Sequence, residues 1–370
     1  MEVYLEQIIL TNYRNFSRLE LNINNNIIII SGENGSGKTN ILEAISLLSP
    51  GRGIRGAKYE DIIRLFQQTE QQWSSNLYQE WSSNLYLQSK LGKALVHSSY
   101  SKKNNSRILE YNGSKISNSE LTNLVNIIWI TPQMDGVFLG SSSDKRKYLD
   151  RIVYNFHPEH AANVNQYNYL CSERLKVLSV NGGSSNDEWI LILEKKIAEI
   201  ALKINNLRSN TVDFLQDAIK SIDTLFPKAE IKVTHLFKDA VAEDVFLEKY
   251  LLELYKSRQK DKITKRTNFG INKQEFIVIH QEKNQPANLC STGEQKALLI
   301  SILLAQIEAS KKVTRTNPIL LLDELFVHLD DKRKDYLAEN LINSKLQTFV
   351  TTTSLDGLEK IVKNAQLLSI

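Results

Sequence analysis

Eight consecutive residues, Gly32-Glu33-Asn34-Gly35-Ser36-Gly37-Lys38-Thr39, carry the most specific chemistry in this chain of 370. They fit G-x-x-x-x-G-K-[ST] in full, after the apolar run Ile27 to Ile30 and before the helical stripe Ile41, Leu42, Ala44, Ile45 and Leu48. A buried strand, a glycine turn and a helix form the context that a phosphate-binding loop requires. The glycines let backbone N–H groups curl around phosphate oxygens, and the helix N-terminus adds a favourable dipole. Lys38 is placed to reach the β- and γ-phosphates and the Thr39 hydroxyl to hold Mg²⁺. The implied ligand is ATP with Mg²⁺.

A second group lies far downstream. "PILLLDELF" (318 to 326) is an apolar strand ending in two acids. Such an ending is common as a plain polar terminus; paired with the glycine loop it reads as the other half of an ATPase site. Asp323 would serve the Mg²⁺ and Glu324 would polarise the attacking water. Just ahead of it stands "CSTGEQKALL" (290 to 299). Ser291 and Glu294 have capping-box spacing, an ordinary way to start a helix.

These groups need elements to place them. Val3, Leu5 and Ile8 or Ile9, then Leu19, Leu21 and Ile23, alternate as two strands. Ile27 to Ile30 reads as a strand buried on both faces. Residues 67 to 132 read as a small antiparallel subdomain with a hairpin turn at Asn112-Gly113. Within it, WSSNLY occurs twice, at 73 to 78 and 81 to 86. Two copies fall short of a solenoid, and one copy is expected as an edge strand or bulging loop with weakly specified register. From 144 to 265 the chain turns long, charged and helically periodic. Ile190, Leu193, Ile197, Ile200, Ile204 and Leu207 keep the spacing of a coiled-coil seam. "QEFIVIH", "ILLLDE" and "TFVTTT" are further strands. The fold class expected is α/β: a head at 1–140 and 270–370, interrupted by a helical arm at 141–269.

Composition narrows the class. Apolar content of 42% and charged content of 24% suit a globular chain with a substantial core. No apolar run approaches the ~20 residues of a membrane span, and the N-terminus lacks a secretion signal. Two cysteines, Cys171 and Cys290, fit a reducing cytoplasm rather than a disulfide framework. The pair His157 and His160 stands alone, without zinc spacing. A net charge of +4 permits nucleic-acid binding without demonstrating it.

The order of these motifs resembles ABC-type ATPases, and their details resemble the RecF family, bacterial recombination mediators related to the heads of SMC and Rad50 proteins. The resemblance covers essentially the whole chain. It is carried by "NYRNF" (12 to 16), the glycine loop, "YNGSKI", "WITPQMDGVFLGSSSDKRKYLD" (129 to 150), "STGEQKALLIS" (291 to 301) and "LLLDELFVHLD" (321 to 331). It implies a P-loop ABC-type head with an antiparallel β subdomain and an inserted arm. It also implies a second anion surface made of Ser291, Gly293 and Gln295, facing the γ-phosphate held by another subunit. Arg14 is then expected at the nucleotide, Gln133 as a Mg²⁺-sensing residue and Asp330 as the D-loop acid. The implied unit is an ATP-dependent homodimer clamping double-stranded DNA. Its hydrolysis is slow and DNA-stimulated, and it acts with RecO and RecR at single-strand gaps in repair, recombination and replication-fork maintenance.

Two departures stand out. The family's Gly-Pro-His-Arg is replaced by "FGINKQEF" (269 to 276), and an Arg-rich run by Asp144-Lys145-Arg146-Lys147; Lys does not replace Arg where bidentate contact is needed. Lys145, Arg146, Lys147, Arg151, Arg52, Arg55 and Lys58 are candidates to face DNA, though each reads equally well as solvated surface. The alternative is an SMC- or Rad50-like structural tether. The short arm and the lack of a Cys-x-x-Cys hook argue against it. A P-loop kinase would lack Ser-x-Gly-Glu-Gln, and a transport subunit would lack the arm.

Overall fold

The computed structural model describes residues 3–64, 79–90, 92–179, 184–237, 242–313, 317–327 and 329–370. The chain forms two compact units, one of residues 1–135, 223–226 and 306–370, the other of residues 136–222 and 227–305.

The first unit opens with β1 (Val3–Tyr13) and β2 (Phe16–Asn22), then β3 (Ile27–Ser31) and α1 (Lys38–Ser46). Next come β4 (Glu80–Ser89), β5 (Gly92–Ser101), β6 (Ser106–Tyr111), β7 (Ser114–Lys115), α2 (Asn118–Leu124) and β8 (Ile127–Ile130). Six strands make an antiparallel sheet in the order β2-β1-β4-β5-β6-β7. The antiparallel part is therefore larger than the expected 67 to 132, because β1 and β2 belong to it. Ile127–Ile130 leaves it for a parallel sheet: all four residues are buried, as a strand covered on both faces must be. The Asn112-Gly113 turn joins β6 to β7, with φ of 49° and 80°, the positive values of a tight hairpin.

The second WSSNLY copy lies on β4, hydrogen-bonded to β1 on one side and β5 on the other. It is an inner strand, with a register shift opposite Leu5 and Gln7 of β1, so the expectation that one copy forms an edge strand or bulging loop turns on the first copy. Trp81, Ser83, Leu85 and Leu87 point inward and are at most 3% exposed. Trp81 fixes the strand: its Nε1 donates to the Tyr59 carbonyl at 2.7 Å, and its ring meets Tyr13 edge to face at 5.4 Å. The first copy, and with it the alternative placement, lies outside the described residues.

The second unit contains α3 (Ser142–Phe156), α4 (His160–Ser179), α5 (Ser184–Ser221), β9 (Ala229–Val233), α6 (Glu243–Thr264), β10 (Phe276–His280) and β11 (Gln285–Pro286). The seam residues Leu193, Ile197, Ile200 and Ile204 pack with Tyr167 and Leu170 of α4 and with Phe246, Tyr250 and Leu254 of α6. Arg174 is fully buried there. It donates to Glu194 at 2.9 Å, to Asp261 at 2.6 Å and to the Leu254 carbonyl at 2.7 Å. Losing one partner of such a buried pair costs about 3–5 kcal/mol. β9 was not anticipated inside a helical stretch; "AEIKV" alternates, and it pairs with β10 in antiparallel register.

The segment "FGINKQEF" (269 to 276) is tied to the helices of this unit. Arg208 donates to the Ile271 carbonyl and to Gln274 Oε1, both at 2.9 Å. It also grips Asp150 with two bonds, and the Asp150 carboxylate accepts a further bond from His160 Nε2 at 2.8 Å. Residues 270–305 cluster with this helical unit, whereas the sequence reading put 270–370 with the head.

α7 (Thr292–Val313) begins in the second unit and ends in the first. β12 (Ile319–Asp323), α8 (Asp331–Ser344), β13 (Thr348–Thr352), α9 (Glu359–Val362) and β14 (Gln366–Ser369) complete the chain. The parallel sheet has the order β14-β3-β13-β12-β8. Every residue of β12 and β13 is buried. The carboxyl ends of β3, β13 and β12 carry the glycine loop, Thr351 and Asp323 side by side, the edge at which ligands bind in open α/β sheets.

Candidate nucleotide site

The glycine loop leads from β3 into α1 through Gly37, whose φ is 115°. Only glycine suits that backbone, and the space is closed as well: a Cβ there would lie 2.5 Å from Phe16 Cζ and 2.7 Å from Asn15 Nδ2. Gly35 also has positive φ, 85°. At Gly32 a Cβ would lie 2.3 Å from the Ile370 carbonyl oxygen. No side chain caps α1, and among the described residues no backbone carbonyl takes the amides of Gly37, Lys38 or Thr39. Unclaimed amides at a helix start are an anion site.

Lys38 is 5% exposed. Its ammonium donates to the Gly32 and Glu33 carbonyls at 2.8 and 2.9 Å, so it already lies along the loop. The Ser36 hydroxyl is buried without a partner among the described residues. Glu33 and Asn34 contribute backbone to the turn, and Ser36 N donates to the Glu33 carbonyl at 3.2 Å.

The two distant motifs meet. Thr39 Oγ1 donates toward Asp323 Oδ1 and Oδ2 at 3.1 and 3.2 Å. Thr351 Oγ1 donates to Asp323 Oδ1 at 2.6 Å and accepts from Glu324 N at 3.1 Å. Glu324 has φ of 49°, a sparsely populated conformation for a non-glycine residue and one found at functional sites. Thr39, Asp323, Glu324, Gln133, Thr131, Pro132, Ile54 and Arg55 line one cavity of about 210 Å³. A hydroxyl and a carboxylate in contact, beside a lysine and open amides, fit a divalent cation bound with a polyphosphate.

Ser291 and Glu294 form the expected capping box. Ser291 N donates to Glu294 Oε2 at 2.8 Å and Glu294 N to Ser291 Oγ at 3.4 Å. Lys283 pairs with the other carboxylate oxygen, and this, ahead of the Ser291 contacts, holds the Glu294 carboxyl down at about 2. Ser291 and Gly293 are exposed. Gln295, expected beside them, is buried; its amide donates to the Cys290 carbonyl at 2.8 Å, because the helical turn points it inward.

Arg14 is not free at the phosphate side. Its Nε and Nη2 bind Glu43 Oε2 and Oε1 at 2.7 and 2.5 Å, and Nη1 donates to the Asp61 carbonyl at 2.6 Å. Gln133 does reach the cavity. Asp330 caps α8 by accepting from Arg333 N at 2.9 Å. Of the candidate DNA-facing cations, Arg55 instead lines the cavity, donating to Asn40 Oδ1 at 2.7 Å. Arg146 binds the Gln274 carbonyl at 3.0 Å, and Arg151 lies over the Tyr148 ring. Lys147 and Lys58 pair with Asp144 and Glu60 at the surface, both at 3.4 Å. Lys145 lines a separate cavity with Phe138 and Glu275, and Arg52 is exposed.

Sequence reading missed Glu43, Thr351 and the place of Arg55. Glu43 had a signal: a carboxylate adjoining the apolar stripe of a helix has to be paired if buried. Among the described residues no cluster of His, Cys, Asp and Glu could hold a metal by itself, and no helix is long and apolar enough to cross a membrane.

The RecF/RecN/SMC N-terminal domain family matches residues 4–369. The chain is 47% identical, over all 370 residues and 99% of the relative, to the DNA replication and repair protein RecF of Rickettsia prowazekii. It is 46% identical over the same shares to that of Rickettsia canadensis. Among solved structures, a RecF–ATPrS complex described as a recombination mediator of the RecFOR pathway superposes with a TM-score of 0.84 at 24% identity. It covers 100% of this chain and 96% of its own. An Smc head from Pyrococcus furiosus bound to ScpA follows at 0.55 and 15%, covering 99% and 93%. The fold is that of an ABC-type ATPase head, and with full-length identity at this level the chain belongs to the RecF family.

Proposed function

We propose that the chain is an ATP-dependent mediator of DNA repair whose ATP-bound form is a homodimer clamped on double-stranded DNA. The observation that carries this reading is the contact of Thr39 with Asp323, which joins the glycine loop to the acid strand. The relatives' names supply the biological setting: replication and repair, and the RecFOR pathway of the solved structures. RecO and RecR are then the partners, single-strand gaps the site of action, and the cytoplasm the compartment.

In this reading Gly32–Thr39 wrap the triphosphate with backbone amides, and Lys38 turns from the loop carbonyls to the β- and γ-oxygens. Thr39 and Asp323 would hold Mg²⁺, which when bound neutralises charge on the phosphates. Glu324 orients and deprotonates water for attack, and Gln133 and Arg55 line the same space. Ser291 and Gly293 would complete the site of a second copy. DNA would be held mainly through phosphates, with little sequence preference. Hydrolysis would be slow, DNA-stimulated and would open the clamp.

Glu324→Gln tests the core of it. Hydrolysis should fall about 100-fold or more, and sedimentation with Mg·ATP should reveal an accumulated dimer. Monomer alone under those conditions rules out the sandwich. Duplex binding should require ATP and weaken with salt; binding indifferent to both removes the clamp.

A further inference from the structure

We propose that Glu43 is a positioning residue for the phosphate loop, acting through Arg14 and Asn15 of the β1–β2 turn. The inference rests on the nucleotide-binding reading above. It differs from the expectation that Arg14 itself touches phosphate.

Glu43 lies one turn into α1 and is completely buried. A carboxylate in that position is tolerated only if fully paired. Arg14 provides the pair with two nitrogens, in the planar fork geometry that lysine does not offer. A second guanidinium, Arg55, stops 3.9 Å from the same carboxylate. Arg14 has φ of 54°, an unfavourable conformation for a residue with a Cβ. Its backbone amide donates to the Ile62 carbonyl at 2.8 Å. The ion pair and this bond together hold the turn in its strained form.

The next residue passes the constraint on. Asn15 Nδ2 donates to the Ser36 carbonyl at 2.7 Å, and its Oδ1 accepts from Asn40 Nδ2 at 2.7 Å. Asn15 thus ties the loop at Ser36 to the first turn of α1. With Phe16 it also closes the space over Gly37. The amides open to phosphate follow directly, at Gly37, Lys38 and Thr39. A loop braced from behind binds a polyphosphate without first ordering itself, and that preorganisation appears as affinity.

The test is titration calorimetry with Mg·ATP, alongside thermal midpoints without nucleotide. Wild type should bind and Lys38→Ala should not; wild type that fails to bind ends the nucleotide reading before the variants are compared. Glu43→Gln should then weaken binding roughly tenfold, with kcat at saturating ATP little changed. If Arg14 were instead a phosphate ligand held back by Glu43, the same variant would bind tighter, so the sign decides. Asn15 is exposed and its removal leaves the buried pair intact, so Asn15→Ala should keep the wild-type midpoint and still lose affinity. Wild-type affinity in Asn15→Ala overturns the relay, whether or not Glu43→Gln folds. A lowered midpoint in Glu43→Gln with unchanged affinity reduces Glu43 to a structural residue and also overturns it.

Discussion

The helices α1 and α7 both begin beside serine and glycine, and they treat their first amides in opposite ways. α1 starts at Gly37 with no side-chain cap and no acid in its first turn. α7 starts at Ser291 with a capping box and with Glu294 bound to both Ser291 and Lys283. In the single chain one helix start is left open to an incoming anion; the other already holds a carboxylate of its own, beside which Ser291 and Gly293 stay exposed for the phosphate of a second copy in the proposed sandwich. A helix N-terminus is therefore no binding site by sequence type alone. What separates the two is whether the protein supplies the negative charge itself.

The widest gap between the two starts should come from Lys38→Ala. It removes the cation beside the open start, and Mg·ATP affinity should fall about 100-fold or more, read by calorimetry. Retained affinity would mean that the open amides alone suffice. The glycines come next. Gly37→Ala forces a Cβ into contact with Phe16 and Asn15 at positive φ, and should lower stability by about 1–3 kcal/mol in urea unfolding. Gly293→Ala meets nothing within 4 Å and should stay within about 0.5 kcal/mol of wild type. Equal costs would erase the distinction. The smallest effect is one of pH. The Glu294 carboxyl is held at about 2, below its ordinary 4.5. Its contribution is thus complete above the unfolded value and lost as pH falls toward 2. Stability should decline less steeply across that range in Glu294→Gln than in wild type, as followed by thermal midpoints.

Local pattern exposed much of this site. The glycine loop with the strand before it, and the acid pair with its own strand, are each contiguous stretches, and periodicity and spacing report contiguous features well. The seam of α5 was legible for the same reason. What stayed hidden depends on pairing across long separations. Thr351 reaches Asp323 because β13 lies between β3 and β12, an order that no local pattern encodes. Arg14 and Arg55 looked like surface or ligand-facing cations; their fates are set by one buried carboxylate. The strand β9 escaped because five alternating residues inside a helical stretch are weak evidence until β10 is seen to pair with them. The transfer of 270–305 to the helical unit follows from that same pairing.

The inner strand β4 leaves one more consequence, which concerns how a chain chooses between two identical words. The copies of WSSNLY stand eight residues apart. Eight is even, so Trp73, Ser75 and Leu77 have the same parity as Trp81, Ser83 and Leu85 and match the inward places equally well. The tie is broken at the fourth inward place. Leu87 follows the second copy, whereas Gln79 occupies the matching position after the first. Leu87 is 3% exposed, and burying such a side chain is worth about 2 kcal/mol. That is a preference of roughly thirtyfold for one pairing. A single leucine, placed just past the repeated word, acts as the punctuation that favours the second copy at these inward places.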